Sequence, residues 1–118
     1  MGRFSIDFEG SVITQFAAVS AADITDTTPT ELKAATSGSH YEITDITVSN
    51  MHATQGTRVD IKSGTTLIWS GPAAANGGGY DHSFSTPLVC AISEAINVVC
   101  ATAGAAVRAA VNGRVKVG

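Results

Sequence analysis

Two cysteines, three histidines and a few aromatic side chains are the residues of this chain best equipped for chemistry. Cys90 and Cys100 lie at the two ends of Cys90-AISEAINVV-Cys100, with Leu88-Val89 before the first and Val98-Val99 before the second. A nucleophilic cysteine needs an adjacent base and an orienting group. Apolar company instead raises the thiol pKa and opposes catalysis. If the segment folds back on itself, a turn centred on Ala95 sets the two cysteines opposite each other, whereas one centred on Ser93-Glu94 sets Cys90 against Asn97. Register then decides whether a disulfide is geometrically possible. A bond across so short a loop adds about 2 kcal/mol. In a reducing cytoplasm two buried free thiols are the expected state.

His40, His52 and His82 lack a second ligand-type residue at the close spacing of a zinc site, so each is expected to be a loop or surface histidine and no metal is expected. Asp81-His82 beside Tyr80 pairs a carboxylate with an imidazole, but neighbours in a strand point to opposite faces. The Gly77-Gly78-Gly79 run has no following Lys-Ser or Lys-Thr and reads as a turn rather than a phosphate loop. No Gly-x-Ser-x-Gly elbow occurs. No catalytic residue and no cofactor site is therefore nominated, and the chain is expected not to be an enzyme. Trp69, Tyr41 and Tyr80 are the candidate exposed aromatics. Trp69 or Tyr80 would serve a sugar-binding face by stacking, although a lone tryptophan is more often core or interface.

The elements that must position these residues belong to one domain. At 118 residues the chain buries roughly two-thirds of its unfolded surface in a single core. Hydrophobic residues make up 44% and charged residues only 14%, well under the usual quarter, so much of the polar surface is Thr, Ser, Gly and Asn. The net charge of -3 comes from scattered charges, with no basic stripe for nucleic acid or an anionic membrane. No apolar run approaches the ~18 residues of a membrane helix. Asp7 and Glu9 interrupt any signal-peptide core, and synthesis in a host cytoplasm is expected.

Period-two patterning dominates. In Thr57-RVDIKS-Gly64, Val59 and Ile61 alternate with Arg58, Asp60 and Lys62. A turn at Ser63-Gly64-Thr65 and the run Thr66-LIWS-Gly71 complete a hairpin. Val107, Ala109, Val111, Val115 and Val117 share one parity, which favours a continuous strand through Asn112-Gly113 over a turn there, with Gly113 relieving a crowded inward position. Ile43 is out of phase with Ile46 and Val48, and a bulge or a change of sheet near Thr44 would restore the phase. Asp26 to Ala35 reads as one helical turn or an edge strand. Gly71-PAAANGGGYDHS-Phe84 reads as a loop. Val12 to Asp23 reads as a strand of the same fold in preference to an arm. Seven or eight short strands make an all-β, antiparallel β-sandwich or jelly roll.

The succession Ile46-TVSN, Gly56-TRVDIKSG, Thr66-LIWSGPAAANGGG, Phe84-STPLVC, Ala95-INVVCATAGAAV and Val111-NGRV resembles the small jelly-roll structural proteins of tailed bacteriophage virions. The resemblance covers about Asp23 to Gly118, a jelly-roll domain over residues 23–118 preceded by an N-terminal strand or arm over residues 1–22. It implies a non-enzymatic capsid decoration or cement protein on the virion exterior, bound to the phage major capsid protein and often a homotrimer. The alternative it leaves open is a receptor- or glycan-binding module of a tail or head fibre. Phe4, Ile6 and Phe8 are the candidate anchors of a capsid-gripping arm, since aromatic side chains bury the most apolar area per residue.

Overall fold

Side-chain alternation builds this molecule strand by strand. The structure, a computed structural model, describes residues 5–6 and 12–118, with side chains from residue 14 onward. The expected anchors Phe4 and Phe8 lie outside the described residues. The described strands are β1 (Ser5–Ile6), β2 (Val12–Val19), β3 (Thr30–Lys33), β4 (Ser39–Asn50), β5 (Thr57–Ser63), β6 (Thr66–Ala73), β7 (Gly78–Val89), β8 (Ile96–Cys100) and β9 (Val107–Val117). They form two antiparallel sheets, one ordered β1-β2-β9-β4-β7 and the other β3-β8-β5-β6. Apart from the two-residue β1, each sheet has four strands, and the two pack as an all-β sandwich. From β2 onward every connection except the β5–β6 hairpin passes from one sheet to the other.

The core lies between the sheets. Ile43, Ile46 and Val48 of β4 and Val107, Ala109 and Val111 of β9 face Val59 and Ile61 of β5 and Ile96, Val98 and Cys100 of β8. Each fully buried aliphatic side chain among them contributes about 1.5–3 kcal/mol relative to exposure. The phase break in β4 is a bulge. Ile43 pairs with Gly113 and Asp45 with Asn112, so Thr44 has no opposite number in β9. That extra residue turns both Ile43 and Ile46 inward, at 0% and 1% exposure. Asn112-Gly113 stays inside β9, whose residues from Ala110 to Lys116 pair with β2 from Val19 back to Ile13. A Cβ on Gly113 would lie 2.1 Å from the Glu42 carbonyl oxygen and 3.0 Å from Phe16 Cε1, which explains the glycine at that inward position.

The hairpin turn falls at Gly64-Thr65, where Ser63 pairs with Thr66 and Gly64 takes a φ of 59°. Three expectations need correction. Gly71 to Phe84 is mostly strand: β6 runs to Ala73 and β7 starts at Gly78, leaving a turn over residues 74–77 in which Asn76 and Gly77 take positive φ. Period-two patterning is absent there because β7 is a sheet edge with much of its length exposed, so small and polar residues occupy both parities. The described strands number nine rather than seven or eight. Tyr41 is not an exposed aromatic: it is 1% exposed, and its hydroxyl bonds the Ala34 carbonyl and Thr36 Oγ1. The segment from Asp26 to Ala35 supplies the edge strand β3 rather than a helical turn.

Candidate functional site

The aromatic candidates gather along one open side of the sandwich. β6 and β7 are edge strands of opposite sheets. Trp69 lies opposite inward-facing Ile61, while Tyr80 and His82 lie opposite inward-facing Val48 and Ile46. Their rings form a row: Trp69 to Tyr80 at 4.6 Å between centroids, Trp69 to His82 at 6.5 Å, and His82 to Phe84 edge-on at 4.5 Å. The indole also lies over Gly71, where an added Cβ would meet Trp69 Cη2 at 2.5 Å. Trp69 and Tyr80 are thus engaged with each other and with the fold. The Tyr80 hydroxyl is buried without a hydrogen-bond partner among the described residues, and burial, followed by nearby Asp60 and Cys100, pushes its pKa well above the ordinary phenol value.

Two carboxylates are set into the outer faces. Asp60 of β5 accepts from Arg58 Nε at 2.9 Å, Arg58 Nη2 at 3.1 Å and Ser70 Oγ at 2.7 Å. Burial alone would raise its pKa, but these hydrogen bonds and the Arg58 and Lys62 charges hold it below the ordinary value. Glu42 of β4 accepts from Arg114 Nε at 2.6 Å, with His40 Nε2 at 3.5 Å and Lys116 Nζ at 3.9 Å. Burial again opposes ionisation, and Arg114, His40 and Lys116 together outweigh it. Beside this cluster, over the β4 bulge, the outer face of the larger sheet sinks into a half-open depression of about 590 Å³.

A third feature is an apolar end. Ser63, Thr66, Ile68, Val89, Cys90 and Glu94 line a groove of about 320 Å³. Exposed Leu67 and Ile92 belong to the segments that form its walls. Exposed Val117 pairs with Ser39, whose carbonyl receives the Ser93 amide at 2.7 Å. Four of the six exposed large hydrophobics among the described residues, Leu67, Val89, Ile92 and Val117, therefore belong to one end of the sandwich. β2 also begins there, since Ile13 pairs with Lys116.

Both cysteines are free and buried. They do not sit on a hairpin: β7 and β8 belong to different sheets, and the chain from Cys90 to Ala95 crosses between them with Ser93 at φ 60°. Burial pushes the Cys90 thiol up to about 11, with Ser63 opposing and Glu94 adding, and burial also raises Cys100. The three histidines are dispersed. His40 Nδ1 lies 2.6 Å from the Gly118 carbonyl oxygen, His52 Nδ1 accepts from the Thr54 and Gln55 amides at 3.1 and 2.9 Å, and His82 joins the aromatic row. Among the described residues no group of three His, Cys, Asp or Glu side chains is placed to hold a metal ion.

Sequence reasoning passed over Asn50, Glu42 and the depression at Thr44. Asn50 is fully buried at the end of β4, and its amide donates to the Gln55 and Ala73 carbonyls while accepting from the His52 and Ala106 amides. The available signal was an asparagine in phase with Ile46 and Val48, an inward polar residue that must find partners. For the depression the signal was the bulge itself, since bulges recur beside binding sites. No family model matches this chain, and no curated protein matches it.

Proposed function

We propose that this chain is a non-enzymatic structural protein of a tailed-bacteriophage virion: a jelly-roll capsid decoration protein that stabilises the assembled head, acting as a homotrimer on the capsid exterior. The jelly-roll reading is supported by the strand orders β2-β9-β4-β7 and β3-β8-β5-β6, in which chain-adjacent strands pass from sheet to sheet. Fold alone does not specify function. The observation that carries the role is the apolar end formed by Leu67, Val89, Ile92 and Val117 on a chain with few charges. Such a surface loses little hydration when it meets another protein. Ser5–Ile6 pair with the start of β2 at this same end, so in this reading the N-terminal segment supplements it as the capsid-gripping arm.

The mechanism is linkage. A protein that binds the assembled shell but not the dissociated subunit stabilises the shell by mass action, and repetition over symmetric sites multiplies a modest local affinity. Cryo-electron microscopy of virions carrying this chain tests the role: density on the head exterior is expected, and density at the tail or baseplate overturns the decoration assignment. Deleting residues 1–10 is expected to lower capsid occupancy, and unchanged occupancy removes the arm from the mechanism.

A further inference from the structure

The outer face of the larger sheet carries a depression that the decoration role does not use. Its position follows from the sequence. The bulge at Thr44 adds a residue to β4 with no opposite in β9, and the neighbouring inward position in β9 is Gly113. Around the resulting hollow of about 590 Å³ stand Gln15 and Thr44, Asp45 and Asn112, with Arg114 at one wall. Its size lies within the ~300–1,000 Å³ of small-molecule sites.

The chemistry of the wall is specific. Asp45 accepts from Thr44 Oγ1 at 2.8 Å and from Ser83 Oγ at 2.6 Å, so its carboxylate is held in one orientation by two neutral hydroxyls. These bonds hold its pKa below the ordinary value, and no cation among the described residues pairs with it. Arg114 is by contrast already bonded through Nε to Glu42. Gln15 and Asn112 are both exposed, and each brings a carboxamide that can donate and accept at once. The wall thus combines a fixed carboxylate, with acceptor capacity beyond the two hydroxyls that hold it, two carboxamides and a guanidinium.

We infer that this depression is a saccharide-binding site selective for neutral or amino sugars. Adjacent hydroxyls of a pyranose, each a donor and an acceptor, match the Asp45 carboxylate and the Asn112 and Gln15 amides. The sign of selectivity follows from the local charge. Arg114 and Lys116 are both turned to Glu42, whereas the partners of Asp45 are neutral hydroxyls, so at that wall a sugar ammonium meets attraction and a sugar carboxylate repulsion. The site is distinct from Trp69 and Tyr80, which are spent on each other at the β6–β7 edge. The inference does not depend on where in a virion, or whether in a virion, the protein resides.

Saturation-transfer NMR and titration of the full chain with glucose, galactose, N-acetylglucosamine, glucosamine and glucuronate test it. Glucosamine and at least one neutral sugar are expected to bind with a dissociation constant of roughly millimolar order, and glucuronate more weakly. Asp45→Ala and Asn112→Ala are each expected to weaken binding at least tenfold, while Tyr80→Phe leaves it unchanged. Both wall substitutions are at solvent-accessible side chains, and an unchanged thermal transition shows that each variant is folded. Lack of saturable binding by the whole panel, tightest binding of glucuronate, or affinity unaffected by both wall substitutions would overturn the inference. So would loss of binding on Tyr80→Phe alone.

Discussion

At the scale of single residues, the ionisable groups of this protein are tuned for structure. Asp60 and Glu42 are held in their charged forms against burial by partners on adjacent positions: Arg58 and Ser70 for the first, Arg114, His40 and Lys116 for the second. A carboxyl whose folded pKa is depressed contributes stability that is complete above the unfolded value, about 4, and is lost as pH falls through the lower folded value. The melting temperature is therefore expected to be flat from neutral pH down to about 4 and to fall below it. Asp60→Asn should lower stability at neutral pH while shallowing that acid limb, and an unchanged limb would show that Asp60 contributes nothing to it. The thiols shift the other way. With Cys90 pushed up to about 11 and Cys100 also raised, neither is a thiolate at neutral pH, and both are shielded. A thiol-reactive dye at pH 7 is expected to leave the native protein unlabelled and to label both cysteines once guanidinium unfolds it. Non-reducing mass spectrometry should show no loss of hydrogens from disulfide formation.

At the scale of elements, glycine and asparagine do what the apolar pattern cannot. Gly79 of β7 approaches β4 so closely that an added Cβ would lie 1.9 Å from the Val48 carbonyl oxygen, a rigid backbone atom. Gly79→Ala is expected to cost about 3 kcal/mol or more by forcing β7 away from β4. Gly77→Ala, two residues earlier, has open space for a Cβ but a φ of 85°, so it should cost about 1 kcal/mol through backbone strain alone. Denaturant melts of the two variants check the order, and equal losses would contradict the close approach at Gly79. Asn50 ties the end of β4 to three segments through four hydrogen bonds. Asn50→Asp keeps the shape but turns a carboxylate oxygen toward the Gln55 and Ala73 carbonyls, so the folded state favours the protonated acid. Its folded pKa is thereby raised, and the variant is expected to be more stable near pH 4 than at pH 7, a dependence opposite in sign to that of Asp60.

These same elements mark what sequence could and could not convey. The β5–β6 hairpin, the continuous β9 and the phase break at Thr44 were legible because one face of each strand is buried and imposes a period of two, or a break in it, although only the pairing shows that break to be a bulge and not a change of sheet. β7 was not legible, because an exposed edge strand imposes no such period and its glycines resemble a loop while serving as points of close approach. Tyr41 was misplaced because burial of a tyrosine depends on a remote partner for its hydroxyl, here Ala34 and Thr36. The depression was out of reach for a related reason: Gln15, Asp45 and Asn112 become neighbours only through pairing between β2, β9 and β4.

At the scale of the whole molecule, the proposed assembly makes a claim about which force holds it. The charges of this chain are few, and several are already satisfied internally: Arg58 by Asp60, Arg108 by Asp23 and Arg114 by Glu42. Among the described residues the exposed apolar groups gathered at a single end are Leu67, Val89, Ile92 and Val117, with Val19 and Met51 exposed elsewhere. An interface built from them is driven by burial of apolar area, which salt does not screen, whereas exposed ion pairs weaken as the Debye length shrinks from about 10 Å at 0.1 M to about 3 Å at 1 M. Light scattering is expected to return three chain masses, unchanged when the salt is raised to about 1 M. Ile92→Asp with Val89→Asp places two like charges per chain at that end and is expected to give monomers, with the single-chain thermal transition retained because both side chains are exposed in the isolated sandwich. A trimer that survives the double substitution would move the interface to another face. A wild-type chain that is monomeric at every concentration would remove the threefold arrangement from the proposal and leave any shell binding to single copies.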